Sequence, residues 1–68
     1  MDQKWECCFV EWIWDQEGIR CTMPGNQETV ARGSYAQVVD LLTSLGRQGW
    51  EVATCAGAQN WLLWTLKR

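Results

Sequence analysis

The chain has 68 residues, with six basic and eight acidic side chains, a net charge of −2 and no histidine; this length makes one domain, spanning 1–68, and an isoelectric point near 4.8 without a basic run argues against a nucleic-acid partner. Apolar residues make up 47%, too many for a disordered chain, yet a domain this small buries only about 60% of its unfolded surface, so its own core is marginal. Apolar runs such as Trp61-Leu62-Leu63-Trp64 fall far short of the roughly 20 residues that cross a bilayer, and Met1-Asp2-Gln3-Lys4 lacks the basic and apolar regions of a signal peptide, which predicts a soluble protein in a reducing cytoplasm.

From Trp5 to Trp14 the chain reads as a strand, with Trp5, Cys7, Phe9 and Ile13 on one face and Cys8, Val10, Trp12 and Trp14 on the other. Both faces are apolar. Asp15-Gln16-Glu17-Gly18 reads as a turn in which Gly18 takes a positive φ, and Ile19 to Thr22 returns as a hairpin strand with Trp14 facing Ile19 and Trp12 facing Cys21. Met23-Pro24-Gly25-Asn26-Gln27 is a loop, and a short extended stretch around Glu28 to Ala31 follows it.

Ser34 followed by Gln37 is a capping-box pattern, and Tyr35, Val38, Leu41, Leu42 and Leu45 repeat at helical spacing as one apolar stripe. Gly49 is the expected stop, with Gly46 inside the last turn as the small residue where the helix crosses the sheet. Trp50 to Cys55 is a strand with Trp50, Val52 and Thr54 on one side and Glu51, Ala53 and Cys55 on the other. Gly57-Ala58-Gln59-Asn60 turns it back, and Trp61 to Arg68 is a last strand with faces Trp61-Leu63-Thr65 and Leu62-Trp64-Leu66. The predicted fold is α+β: one helix packed on a small antiparallel sheet of 3–4 strands, in the order strand, hairpin, helix, strand, strand. The handedness of the crossover places the last strand between the first and the one starting at Trp50, antiparallel to both.

The run Leu41-Leu42-Thr43-Ser44-Leu45-Gly46-Arg47-Gln48-Gly49-Trp50-Glu51-Val52, preceded by Trp5-Glu6-Cys7 and closed by Trp61-Leu62-Leu63-Trp64-Thr65-Leu66-Lys67-Arg68, resembles the small bacterial and phage family called "domain of unknown function 4177". The resemblance covers the first strand and roughly residues 34 to 68, with Gly49-Trp50-Glu51 its most specific part. It implies a short strand, helix, strand, strand fold with a tendency to associate, hints at a bacterial or phage source, and implies no reaction. The segment from Asp15 to Gly33 and the tryptophan load depart from that pattern.

Catalytic chemistry is thinly represented. The absence of histidine removes the commonest general base, the serine triad and most catalytic zinc sites. The four cysteines lack the paired spacing of a structural zinc site, because Cys7 and Cys8 point to opposite faces and Cys21 and Cys55 stand apart, and no Cys-x-x-Cys opens a helix. They read as buried small hydrophobes. Glu6 and Glu51 form a conceivable carboxylate pair, with Glu11 on the Trp5-Phe9 face, but solvated strand charge explains them better. No phosphate-cradling glycine motif occurs. The expectation is no enzyme, no metal and no cofactor.

Charge divides along the chain. Residues 1–28 carry Lys4 and Arg20 against Asp2, Glu6, Glu11, Asp15, Glu17 and Glu28, a net of −4, and residues 29–68 carry Arg32, Arg47, Lys67 and Arg68 against Asp40 and Glu51, a net of +2. Pairing within the chain is expected, with pairing between subunits as the alternative.

Six tryptophans are the main functional signal. Trp50 and one of Trp61 or Trp64 are expected against the helix, and parity then leaves a bulky aromatic on the uncovered face, where exposed apolar area marks an interface. Trp12, Trp14 and Trp64 are the expected interface or ligand contacts, with Arg20, Arg32 or Arg47 supplying anionic recognition. The expected function is a small non-catalytic binding protein that self-associates, as a homodimer or higher, through a Trp-rich sheet face or by edge pairing, and sequesters a planar or nucleotide-like ligand. The alternative is a protein-interaction factor, a phage-type inhibitor or bacterial regulator, docking its aromatic patch on a larger host protein.

Overall fold

A computed structural model describes residues 6–68; Trp5, assigned by parity to the Phe9 face, lies outside the described residues. The elements are β1 (Cys7–Ile13), β2 (Gly18–Met23), β3 (Gln27–Arg32), α1 (Tyr35–Arg47), β4 (Glu51–Ala58) and β5 (Trp61–Lys67). All neighbouring strands pair antiparallel, in the order β3-β2-β1-β5-β4. The last strand therefore lies between the first and the one after the helix, as expected, and α1 carries the chain from one sheet edge to the other. The α+β architecture is the expected one, with a wider sheet. The additional strand arises because the segment after Pro24 pairs with β2 along its whole length, from Met23↔Gln27 to Gly18↔Arg32. Gly25 and Asn26 both take left-handed backbone, φ 86 and 62, and so reverse the chain within a three-residue loop.

Side-chain parity decides where the core forms. Cys8 and Val10 of β1, Ile19 and Cys21 of β2, and Trp64 and Leu66 of β5 point toward α1 and are buried with Val38, Leu45 and Trp50. Trp12, Met23, Leu41, Leu42 and Leu62 pack half-buried around them. The strand periodicity of two and the helix periodicity of 3.6 thus meet at one layer.

The helix ends are set by local chemistry. Ser34 N–H donates to Gln37 Oε1 at 2.8 Å, the glutamine half of the expected capping box. At the other end Gly49 has φ +96, Gly49 N–H donates to the Gly46 carbonyl at 3.0 Å and Trp50 N–H to the Leu45 carbonyl at 3.1 Å. This pair of bonds is a Schellman stop, completed by burial of Leu45 and Trp50 together. The Leu45-to-Trp50 run is therefore a helix terminator followed by a core anchor.

Three local expectations are corrected. The β1–β2 loop is Trp14 to Glu17, so Ile13 pairs with Gly18, Trp12 with Ile19 and Val10 with Cys21. Glu17, not Gly18, takes the positive φ of 52, and its N–H closes onto the Trp14 carbonyl at 3.1 Å. The register moves by two residues relative to the expected one, so every side chain keeps its face. Strand β4 runs to Ala58 rather than Cys55, leaving Gln59-Asn60 as the turn, and an irregularity between Val52 and Thr54 breaks its alternation. Val52 opposes Leu66 and Cys55 opposes Trp64, so these two share the helix side while Thr54 joins Thr65 on the other. Gly46 is not a crossing point: a Cβ built there meets nothing within 4 Å.

The two helix glycines are thus predicted to behave oppositely. Gly49→Ala forces an L side chain into the left-handed region and should lower the unfolding free energy by about 1–2 kcal/mol. Gly46→Ala should raise it by roughly 0.5–1 kcal/mol, since space is open and alanine is the better helix former. Urea unfolding of both variants checks this.

Candidate functional site

The sheet face away from α1 is built by the alternate residues of the same strands. Phe9, Glu11 and Ile13 of β1 lie beside Trp61, Leu63 and Thr65 of β5, with Ile13 opposite Trp61 and Glu11 opposite Leu63. On the other flank Glu11 pairs with Arg20, and Arg20 with Val30. Among the described residues no element covers this side: Phe9 remains 39% exposed and Val30 70%. Its polar centre is Glu11, which accepts a hydrogen bond from Trp61 Nε1 at 3.1 Å and faces Arg20 Nη1 at 3.6 Å. A shallow depression of about 150 Å³ lies beside it, lined by Glu11, Ile13, Arg20 and Val30. The arrangement offers an apolar floor, an indole held edge-on by a carboxylate, and one guanidinium.

The aromatic residues expected as contacts gather on the opposite, helix side. Trp14, Trp12, Tyr35 and Trp64 form a chain of ring contacts with centroids 6.2, 5.3 and 6.4 Å apart. Trp64 is 7% exposed and belongs to the core. Trp12 is half-buried and fastened by its Nε1–H, which donates to the Gly33 carbonyl at 3.2 Å. Trp14 and Tyr35 are the open ends, 44% and 50% exposed. The structure thus brings Trp12, Trp14 and Trp64 together and leaves Trp14 alone of the three turned to solvent.

The arginines do not converge on that cluster. Arg20 stands on the uncovered face, Arg32 on edge strand β3 donates to the Gln16 carbonyl at 3.4 Å, and Arg47 occupies the last turn of α1. Beside the helix, a groove of about 310 Å³ runs over β2 and β3, lined by Ile19, Cys21, Thr29, Ala31, Arg32, Gln37 and Leu41.

Trp50 is a core residue, 3% exposed, as expected, and its Nε1 has no hydrogen-bond partner among the described residues. Arg68 lies 4.4 Å over its ring, donates from Nε to Glu6 at 2.8 Å and from Nη1 to the Gln48 carbonyl at 2.9 Å. This clasp joins the start of β1, the end of α1 and β5, and it pairs the acidic first part of the chain with the basic second part. Glu6 and Glu51 flank β5 from its two sides, Glu6 paired with Arg68 and Glu51 opposite Lys67 in the strand register, so β5 lies between the two carboxylates.

The cysteines divide evenly, which corrects the expectation that they are buried small hydrophobes: Cys8 and Cys21 are buried, Cys7 and Cys55 exposed. Burial pushes the Cys8 thiol up from 9.0 to about 11, with nearby Cys21 adding to it, and burial also raises Cys21. Among the described residues no three or more His, Cys, Asp or Glu side chains gather as a metal-binding group, and no helix is long and apolar enough to cross a membrane.

Two contacts were missed by sequence reasoning. The Glu11–Trp61 bond joins residues 50 apart; parity put Glu11 on the Phe9 face, but only the β1–β5 register brings it to Trp61. Tyr35 was read as part of the helix stripe, whereas its place in the first helical turn lets it lie across Trp12 and Trp64.

Two thiols, Cys7 and Cys55, are predicted to react with Ellman's reagent in the native protein and all four after unfolding. Because the folded Cys8 pKa is raised, the stability it contributes is fully present below pH 9 and is lost as pH climbs toward 11. The urea midpoint should fall across that window, less steeply in Cys8→Ala. No family model, curated protein or solved structure matches the chain.

Proposed function

We propose that the chain is a small non-catalytic binding module of the cytoplasm that self-associates through its tryptophan-bearing sheet and holds a planar, nucleotide-like molecule against the uncovered face. The observation that supports this reading is the face itself, where Phe9, Ile13, Trp61 and Leu63 surround one polar couple, Glu11 and Arg20. A mainly apolar surface with a few fixed polar groups has the composition of a ligand or subunit site. Hiding several hundred Å² of it contributes several kcal/mol at about 25 cal/mol per Å², comparable to the whole stability of a small domain. A flat ring stacked near Trp61 gains about 1–3 kcal/mol, and Arg20 supplies the partner for an anionic group. Four free thiols support a reducing compartment. Membership of the "domain of unknown function 4177" family, proposed on the Leu41-to-Val52 run with the Trp5-Glu6-Cys7 and Trp61-to-Arg68 segments, carries the same tendency to associate.

A second reading has its own support in Trp14 and Tyr35, which stand exposed on the helix side. Aromatic pairs of this kind anchor protein contacts, so docking on a larger host protein, as an inhibitor or regulator, is the alternative.

Native mass spectrometry of the protein purified from its host distinguishes the two. The first reading predicts an oligomer carrying a small extra mass, and Trp61→Ala should lose that mass while keeping its far-ultraviolet dichroism. An oligomer without extra mass that co-purifies with a host protein favours the second reading, and a bare monomer contradicts the first.

A further inference from the structure

We infer that the free edge of β4 pairs antiparallel with β4 of a second copy, joining two five-stranded sheets into one of ten strands. This rests on the self-association proposed above and assigns it to the sheet edge. Strand β4 ends the sheet on the side opposite β3, and all eight of its residues are exposed. Along its outer side half of the backbone N–H and C=O groups face no strand among the described residues, which is a template for another chain.

The two edges differ in protection. Natural edges are blunted by charge, proline or shortness. Strand β3 is six residues long, carries Glu28 and Arg32, and is entered from a three-residue loop that contains Pro24. Strand β4 is eight residues long, and after Glu51 it reads Val-Ala-Thr-Cys-Ala-Gly-Ala, without charge, proline or a bulky aromatic. Small side chains let two backbones approach on both faces.

The occupant is a second copy because self-pairing of this strand sets only small, uncharged side chains against one another. Residues directly opposite in an antiparallel pair share a face. In the regular part of β4, Thr54, Ala56 and Ala58 lie on the uncovered face, and Cys55 and Gly57 on the helix side, by their pairing with Thr65, Leu63, Trp61, Trp64 and Leu62. A two-fold axis at Ala56 sets Thr54 opposite Ala58, Cys55 opposite Gly57 and Ala56 opposite itself, small residues against small residues on both faces. The irregularity between Val52 and Thr54 ends this stretch, and Glu51 stays beyond it, so no like charges are brought together. The same pairing lays two uncovered faces edge to edge as one floor bearing Trp61 twice.

This register places the two Cys55 residues diagonally, at a spacing of about 7–8 Å. The test uses the full chain carrying Cys7→Ser, in which Cys55 is the remaining exposed thiol, with a short bismaleimide and sedimentation equilibrium. The expected result is a dimer that cross-links through Cys55, and a cross-linked fraction that falls roughly tenfold or more in Ala56→Lys or Ala56→Glu, where like charges oppose each other. Circular dichroism confirms that the variant scored is folded, and the Cys55 cross-link in the parent needs no edge substitution at all. A dimer that fails to cross-link, or that survives Ala56→Lys and dissociates in Phe9→Lys, overturns the edge assignment while leaving self-association intact. A monomer at all concentrations overturns both.

Discussion

One helix has to cover five strands, and it is too small to do so. Thirteen residues make a rod roughly 20 Å long and about 10 Å across, whereas five strands spaced about 4.8 Å apart make a sheet about 20 Å wide or more. The core accordingly gathers where α1 lies, on β1, β2 and β5, and the two edge strands carry no buried residue. The uncovered face, the grooves beside the helix and the exposed edge of β4 are all consequences of that mismatch.

Seen this way, the tryptophan content has two explanations at once. A domain with nine buried hydrophobic residues among those described gains the most from side chains that bury large area each. Trp50, Trp64 and half-buried Trp12 serve that need, with Trp50 locked between the Schellman stop and the Arg68 guanidinium. Exposed Trp14 and half-buried Trp61 lie on opposite sides of the sheet, and they remain as candidates for contacts outside the chain. High aromatic content is thus partly a substitute for size.

The parts of the fold visible in the sequence were those written in short-range chemistry. Alternation in β1 and β5 separated Cys8, Val10, Leu62, Trp64 and Leu66 from the other face, and Ser34, Gln37 and Gly49 marked the helix ends. Alternation fails where one residue is inserted: the irregularity beside Ala53 moves Val52 to the side of Cys55, and nothing in Val-Ala-Thr-Cys announces it. Turn chemistry favoured Gly18 for the left-handed position, but bonds from Trp14 to Asn60 and from Gly33 to Glu17 hold the loop one residue earlier and give that position to Glu17. Gly46 was assigned to a helix–sheet crossing that a single short helix over a wide sheet does not make there.

The site was legible in kind more than in place. An aromatic side chain on the face the helix leaves bare followed from strand parity, and Arg20 was among the expected contacts. The grouping was not visible, because Trp12 and Trp64 turn inward under Tyr35 while Glu11, Trp61 and Arg20 meet only through the pairing of three strands. Hydrogen–deuterium exchange of the outward-facing β4 amides, followed as protein concentration is raised, tests most directly whether the sheet is completed by a second copy. Protection that grows with concentration and is confined to β4 is the predicted result; rapid exchange there at every concentration would contradict it.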